Sequence, residues 1–557
     1  MSDTKARKIR TISANRLPQL KGAHEIFVDF GHADLQWSHI EKAVLKDNGI
    51  EVTLDCSEGR GPKILAIYGR AEKVQVRKSL SEFDKALAAV PAPEKFDLDA
   101  RNELSEFPNS APNVKAAVEK KAFPHGLPQG PASILDNDLY KFSMGYAVYH
   151  LYPTIHVVYR FADRGANGKW TMEAVRMLRK LVRDMRKLRL TKEERAWCEK
   201  NLPWLPVDFW TYIEKFRFDP GQVKIWLDKD HNLQMEIRGL WKETIYWEVP
   251  LLYLTSEVYF TMIDTNWTEE GQVELMEEKA RRMAEAGLLW ADFATRRRRH
   301  LEAQERVVVA GKKHKNFTGT SNVYLAMKHG VKALGTMAHE WIMAHSALIS
   351  LEHANHFAMH AWKDIYNGNL GTALGDTFGT DSFLRDWDGV LARLFDSVRQ
   401  DSGDPYEWAE NMIAHYTKLN IPWTTKALGF TDGNTVDSAI AIHKWVTAKG
   451  GKCWFGIGTH LSNDYGKQSP ACNIVIKLSE VIDKFGRSIP VVKISDTPGK
   501  ASGDPEAVRV ALKVHFGISL DDPIHEARKG KGHHCPVPAD ACTCAVQHRK
   551  PATKAAA

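Results

Sequence analysis

Cysteine is scarce, with 7 in 557 residues. Cys56, Cys198, Cys453 and Cys472 are scattered and the other three crowd the tail, which excludes a disulfide framework and leads us to expect reduced thiols. No stretch approaches the ~18 apolar residues of a membrane span. The opening MSDTKARKIRTISANRLPQL carries basic residues without the apolar core of a signal peptide. Together these absences predict a cytoplasmic protein with no membrane partner. A one-sided charge is missing too, since 76 Lys plus Arg face 69 Asp plus Glu, a net +7. So mild a bias favours anionic ligands slightly and gives no argument for nucleic acid. The length exceeds one ordinary domain and predicts two or three folded units.

Residues 1–23 read as a flexible N-terminus. Over 24–90 the pattern runs strand (EIFVDF), helix (HIEKAVLKD), strand (IEVTLDC), strand (KILAIYG) and helix (EKVQVRKSLSEFDKAL), a small accessory α/β unit. Pro, Ala and charge without an apolar period mark 91–131 as a linker. A mixed α+β part follows over 132–285. It has a helix from near Asp138, the strand IHVVYRF, the basic amphipathic helix MEAVRMLRKLVRDMRKL, and the run LWKETIYWEVPLLYLTSEVYF, whose tryptophans read as core. Over 286–520 come short apolar runs: LWADFATRR, VKALGTMAH, GTALGDTF, VRQDSGD, TKALGFTDG, CWFGIGTHL, NIVIKLSEV and VVKISDTPG. They end in Gly, Ser, Thr, Asp or Arg and are mostly separated by amphipathic helices, which predicts a parallel sheet closed into a (β/α) barrel. The tail, 521–557, holds His533, His534, Cys535, Cys542 and Cys544 without the paired spacing of a zinc site, and reads as flexible and polar.

In such a barrel the C-terminal strand ends meet at one mouth. Here they supply Arg296, Thr336, His339, Asp376, Arg399, Asp401, Asp432, Gly458 and Thr459. FGIGTHL is a small-residue turn whose backbone N–H groups and Thr459 hydroxyl can reach a phosphate. VRQDSGD sets Arg399 to clamp an anion and Asp401 to accept from sugar hydroxyls or hold Mg²⁺ through water; an ion pair between the two is the competing reading. FATRRRRH packs four guanidinium groups that repel one another unless an anion is near, and which of Arg296 to Arg299 turn inward stays open. GTMAHEW places His339 just past a strand end. A carboxylate such as Asp376 or Asp401 on one ring nitrogen makes the other more nucleophilic, while a purely structural histidine is the plain alternative.

Taken in order, ILDNDLYKFSM, YRFADR, FATRRRR, GTSNVYLA, GTMAHEW, RQDSGDP, FGIGTHL and SDTPGK resemble the motifs of nicotinate phosphoribosyltransferases, from about Leu135 to about Leu520. The resemblance implies an α/β fold: an irregular (β/α) barrel of the type II phosphoribosyltransferase kind with an associated α/β domain. It implies that nicotinate and 5-phosphoribosyl 1-pyrophosphate give nicotinate mononucleotide and pyrophosphate on the way to NAD. By the same resemblance ATP would be the co-substrate through a phosphohistidine at His339, and Mg²⁺ and Arg296 would steady the leaving pyrophosphate. Asp376 and Asp401 would join them as catalytic residues. Phe293 and Tyr140 would sandwich the ring, Tyr140 coming from the partner in a homodimer. Arg399, with Ser321 and Thr336, would hold the carboxylate, and Thr459 with the backbone of Gly456 to Gly458 the ribose 5-phosphate. Ser321 stands where the related nicotinamide-using enzymes carry aspartate, which favours the acid over the amide. Two features depart from the family pattern: Ala294 replaces the glycine of FGTRR, and residues 24–90 have no counterpart in its common members. Two alternatives remain, a nicotinamide-using enzyme and a regulatory or nucleic-acid-binding role for the N-terminal unit, the latter resting on KIRTISANR and GRAEKVQVRK.

Overall fold

In the computed structural model the described residues are six strands between residues 25 and 77, and residues 125–517 apart from 129, 166–168 and 498–500. The chain divides into two compact units, the first containing Met1–Ala92. Its strands are β1 (Glu25–Asp29), β2 (Asp34–Trp37), β3 (Ile40–Lys46), β4 (Gly49–Leu54), β5 (Lys63–Tyr68) and β6 (Lys73–Arg77). They form two antiparallel sheets, ordered β2-β1-β6 and β3-β4-β5. The helix expected over HIEKAVLKD is therefore strand β3, paired with β4 from Ile40↔Leu54 to Lys46↔Gly49. The Asn48-Gly49 dipeptide is a hairpin signal that outweighs the helical spacing before it. The second expected helix opens as strand β6, in which Val74 and Val76 alternate with Lys73, Gln75 and Arg77 at the period of a strand; its continuation lies outside the described residues, as do the expected linker over 91–124 and the tail from 518.

The strands of the second unit are β7 (His156–Asp163), β8 (Val223–Leu227), β9 (Leu233–Leu240), β10 (Trp290–Asp292), β11 (Phe317–Thr320), β12 (Thr372–Leu374), β13 (Ser397–Gln400), β14 (Ala427–Phe430), β15 (Lys452–Ile457), β16 (Ile474–Ile482) and β17 (Ser488–Pro490). One sheet, β17-β16-β7-β9-β8, is antiparallel throughout. Leu233, Met235 and Ile237 of β9 are buried between less buried Gln234, Glu236 and Arg238, as expected of a sheet with one covered face. The other sheet is parallel, ordered β11-β10-β15-β14-β13-β12. Trp290, Ala291 and Asp292 are all buried, so β10 is covered on both faces. The helix Glu248–Met262 is buried on nearly every side, a core helix rather than an amphipathic one. The basic helix Met172–Asp184 instead buries Ala174, Val175, Leu178, Leu181 and Val182 and is capped by the Thr171 hydroxyl, which accepts from Ala174 N.

Three expected barrel runs behave differently. NIVIKLSEV is β16 of the antiparallel sheet, and its burial alternates from Ile474 to Leu478 instead of running continuously. VVKIS contributes only a bridge, Lys493↔Ser502, and VKALGTMAH only a bridge, Thr320↔Ala333. The backbone ladder is thus six strands wide and does not close into a regular barrel. Between its edges runs the segment 332–336. Thr320 N donates to Lys332 O at 3.0 Å and Leu334 N to Thr320 O at 2.8 Å, while on the other side the Thr336 hydroxyl donates to Thr372 O at 2.9 Å. Gly319 permits this approach: its φ is +144°, and a Cβ there would lie 2.2 Å from Lys332 O.

Candidate active site

The C-terminal ends of the parallel strands open into one cleft of about 870 Å³, including the part open to solvent. Phe293, Ala294, Arg296 and Arg297 follow β10; Arg399 and Asp401 come from β13 and its end; Thr431, Gly433 and Asn434 follow β14; Gly456, Gly458, Thr459 and His460 come from β15 and the turn after it. Tyr140 and His339 complete the wall from the first turns of the helices Leu139–Leu151 and His339–Leu348. Of the expected site residues, Ser321, Thr336 and Asp376 do not line the cleft.

Asp376 stands directly behind His339. Its Oδ1 lies 3.0 Å from His339 Nε2, and its Oδ2 accepts from Ser402 Oγ at 2.5 Å and from Lys493 Nζ at 2.9 Å. Burial pushes the Asp376 carboxyl up, but Lys493 and His339 outweigh it and hold the group well below the usual carboxylate range. Burial, and then the Lys493 charge, bring His339 down to about 4 against the opposing pull of Asp376. The imidazole is therefore neutral near pH 7, and the hydrogen bond to an ionised Asp376 assigns its proton to Nε2. Nδ1 is left with its lone pair. Asp401 Oδ2 is 3.7 Å from the same Nε2, and Asp401 Oδ1 accepts from the Thr431 hydroxyl at 2.7 Å. Lys493 and Ser402 escaped the sequence reading; the only trace was a lysine set among apolar residues in VVKIS.

The arginine run divides in two. Arg296 and Arg297 face the cleft. Arg296 Nη1 lies 3.6 Å from Glu248 Oε1, and burial together with the neighbouring Arg296 charge brings Arg297 down to about 10. Arg298 is fully buried, holds Asp136 with two 2.8 Å hydrogen bonds and stacks 4.0 Å over the Tyr253 ring. Arg299 is spent on Ser469, through Oγ and O at 2.8 Å each, and lies 3.5 Å from the centre of the Phe260 ring. Internal partners thus take up the second half of the run, and only the first two cations are turned toward a ligand in the cleft. Among the described residues no carboxylate lies within 4.0 Å of the Arg399 guanidinium, which leaves its donors to a ligand, while its charge, ahead of that of His339, holds Asp401 below its ordinary value against burial: the two attract without forming a contact ion pair.

Within this chain Tyr140 and Phe293 line the same cleft, so both rings reach it without a contribution from a second subunit. Leu139 N donates to Ser321 O at 2.7 Å, which fixes the helix start that carries Tyr140 beside the end of β11. Gly456 makes room for Phe293, because a Cβ there would lie 2.4 Å from the ring. Ser321 Oγ donates to Asp138 Oδ1 at 2.6 Å, so this serine and the Thr336 hydroxyl hold the wall of the site from behind.

A buried charge cluster joins the two sides of the cleft and was also missed, although its members lie inside the quoted runs. Lys141, wholly buried, pairs with Glu248 at 2.6 Å and with Glu340, the neighbour of His339. Glu340 also accepts from the Tyr159 hydroxyl at 2.9 Å and Trp241 Nε1 at 3.0 Å. Burial would lower Lys141, but the two carboxylates hold it above its ordinary value. For a divalent cation, the ligand atoms of His339, Asp376 and Asp401 lie within 4.8 Å of one another. Asp376 is already satisfied, which leaves Asp401 as the carboxylate facing the cleft. That single oxygen ligand fits Mg²⁺, which keeps several waters and binds largely through substrate phosphates.

Among the described residues no helix is long and apolar enough to cross a membrane. The sequence model of the nicotinate phosphoribosyltransferase (NAPRTase) family matches residues 288–520, and that of its N-terminal domain matches 135–256, so β1–β6 lie outside both. A nicotinate phosphoribosyltransferase of Methanosarcina mazei is 42% identical over 410 residues, 70% of this chain and 99% of that protein. Another from Chromohalobacter salexigens is 38% identical over 385 residues, 69% and 97% of the two chains. The crystal structure of nicotinate phosphoribosyltransferase from Porphyromonas gingivalis superposes with a TM-score of 0.67 at 37% identity, covering 69% of this chain and 99% of that one. With the motifs, the parallel sheet and these relatives in agreement, the chain belongs to the nicotinate phosphoribosyltransferase family.

Proposed function

We propose that the chain makes nicotinate mononucleotide and pyrophosphate from nicotinate and 5-phosphoribosyl 1-pyrophosphate for NAD synthesis, and couples this to ATP hydrolysis through phosphorylation of His339. The observation that carries the coupling is the His339–Asp376 pair at 3.0 Å on the wall of a cationic cleft. The Nδ1 lone pair attacks the γ-phosphorus of ATP, the bond to the bridging oxygen breaks, and ADP leaves with that electron pair. Asp376 stabilises the positive charge that forms on the ring. Water later returns the phosphoryl group as phosphate.

In the transfer step the C1–pyrophosphate bond loosens toward an oxocarbenium-like ribose as the pyridine nitrogen closes, so placement and charge stabilisation carry the reaction. Tyr140 and Phe293 hold the ring, Arg399 its carboxylate, and the turn Gly456 to Thr459 the 5-phosphate. Arg296 and Arg297 face the departing pyrophosphate. Mg²⁺ held at Asp401 supplies charge neutralisation on the pyrophosphate oxygens when bound. Arg399, as a cation without a carboxylate in contact, supports nicotinate over nicotinamide.

The test is pyrophosphate release from nicotinate and the activated ribose, with and without ATP, and with nicotinamide at equal concentration. Turnover with nicotinate that ATP stimulates is expected. Absence of turnover under both conditions, or a preference for the amide, overturns the assignment. His339→Ala should abolish ATP hydrolysis while leaving slow uncoupled synthesis.

A further inference from the structure

The helix Ala354–Tyr366 places His356 and His360 one turn apart on the same face. Neither residue lines the cleft. Their ring centres are 4.3 Å apart, and Asp388, at the start of the helix Gly389–Leu394, faces them. The ligand atoms of the three residues all lie within 4.8 Å of one another. We propose that His356, His360 and Asp388 bind one divalent transition-metal ion of the zinc class.

The assignment of atoms supports this. Asp388 Oδ1 is committed to the cap of its own helix, accepting from Val390 N at 2.8 Å and Leu391 N at 2.9 Å. Oδ2 is left and faces His360 Nε2 at 3.6 Å. That is too long for a hydrogen bond, and close to the edge of about 3.3 Å of a tetrahedron with metal–ligand bonds of about 2.0 Å. His360 Nε2 is buried without a hydrogen-bond partner, a cost that a bound ion removes.

Around the ligands, Asp386 Oδ2 accepts from His356 N at 3.3 Å, and its Oδ1 lies 3.5 Å from His353 Nδ1 and 3.6 Å from Arg385 Nε. These contacts hold the first turn of the histidine helix in place. Asp388 is 43% exposed at its side chain, which opens a path for the ion and leaves a fourth position for water. Two imidazoles with one carboxylate suit zinc, nickel or cobalt and disfavour Mg²⁺ and Ca²⁺. The bound ion would tie the histidine helix to the start of the helix Gly389–Leu394. The same histidine helix supports His339 from behind: Trp341 Nε1 donates to Ala358 O at 2.9 Å.

The experiment is equilibrium dialysis of the chelator-treated full chain against zinc sulfate in excess Mg²⁺. The parent is compared with His360→Ala, Asp388→Asn and the tail variant Cys535→Ser/Cys542→Ser/Cys544→Ser. The proposal expects His360→Ala and Asp388→Asn each to lose one equivalent of zinc or weaken it about tenfold or more, and the tail variant to keep it. Zinc-edge X-ray absorption on the parent loaded with one equivalent needs no variant to fold, and should show nitrogen and oxygen neighbours only. A sulfur shell, or the same zinc content in parent and His360→Ala, overturns the proposal.

Discussion

Replacing Lys141 by Met tests how the cleft is braced. The ammonium lies 2.6 Å from Glu248 and also contacts Glu340, and all three groups are buried. At an effective dielectric constant of about 20, one unit-charge pair at that separation attracts by roughly 6 kcal/mol, from which the desolvation of an ammonium takes back several. Removing the cation leaves two carboxylates in the interior without it, and the expected net loss is about 3–5 kcal/mol. With an unfolding entropy of about 2 cal/mol/K per residue, a unit of ~400 residues loses roughly 1 °C per kcal/mol, so the melting temperature should fall by about 3–5 °C. Calorimetry measures this directly. Function should change as well, because Glu248 freed of Lys141 draws Arg296 away from the cleft, raising KM for the phosphoribosyl donor more than it lowers kcat. The triple variant Lys141→Met, Glu248→Gln, Glu340→Gln removes the stranded charges and should recover at least half of the lost stability. A single variant within about 1 kcal/mol of the parent, or a triple variant no better than the single one, would refute the reasoning.

Further outcomes follow from the same geometry. Because His339 is held down to about 4, its nucleophilic form persists above that value, and ATP hydrolysis should lose its acid limb near pH 4 instead of at the ordinary 6.5. Lys493→Met removes one cause of the depression and should move the limb upward, whereas a parent midpoint at pH 6–7 contradicts the assignment. Gly456→Ala places a methyl group 2.4 Å from Phe293 and should raise KM for nicotinate about tenfold, roughly 1.4 kcal/mol, in steady-state assays. Arg298→Met strands Asp136 and should cost about 3–5 kcal/mol in denaturant unfolding. Arg296→Met, at a side chain 43% exposed, should leave stability within about 1 kcal/mol and lower kcat/KM for the donor.

The parallel sheet was legible because β10, β13, β14 and β15 are short apolar runs ending in polar residues, and those ends do carry Arg296, Arg399, Asp401 and Thr459 to one cleft. Strand β16 was misplaced because a run such as NIVIKL scores as continuous, while its Val475 and Lys477 in fact alternate toward the less covered face. Sequence adjacency made Arg296 to Arg299 look like a single cationic patch. The chain turns between them, and the partners of the last two, Asp136 and Ser469, are 162 and 170 residues away. Lys141, Glu248, Glu340 and Lys493 eluded notice for the same reason: a buried ion pair is a property of tertiary proximity, and nothing local distinguishes such a lysine from one on a solvated surface. In the N-terminal unit, the spacing of Ile40, Val44 and Leu45 suits a helix, and pairing with β4 decides otherwise.

The segment 332–336 has a consequence for motion. The neighbouring strands are stitched to one another by continuous pairing, but this segment is fastened by two backbone hydrogen bonds on one flank and by two hydroxyls elsewhere, Thr336 donating to Thr372 O and Ser143 donating to Thr336 O. It works as a zipper with most of its teeth missing, and His339 begins three residues beyond it. Breathing of the rim will therefore concentrate at this fastening, where amide exchange at Thr320 and Leu334 should outpace that of Leu428 and Phe455 inside the ladder. The residue proposed to change its charge during turnover sits beside the part of the wall that yields at least cost.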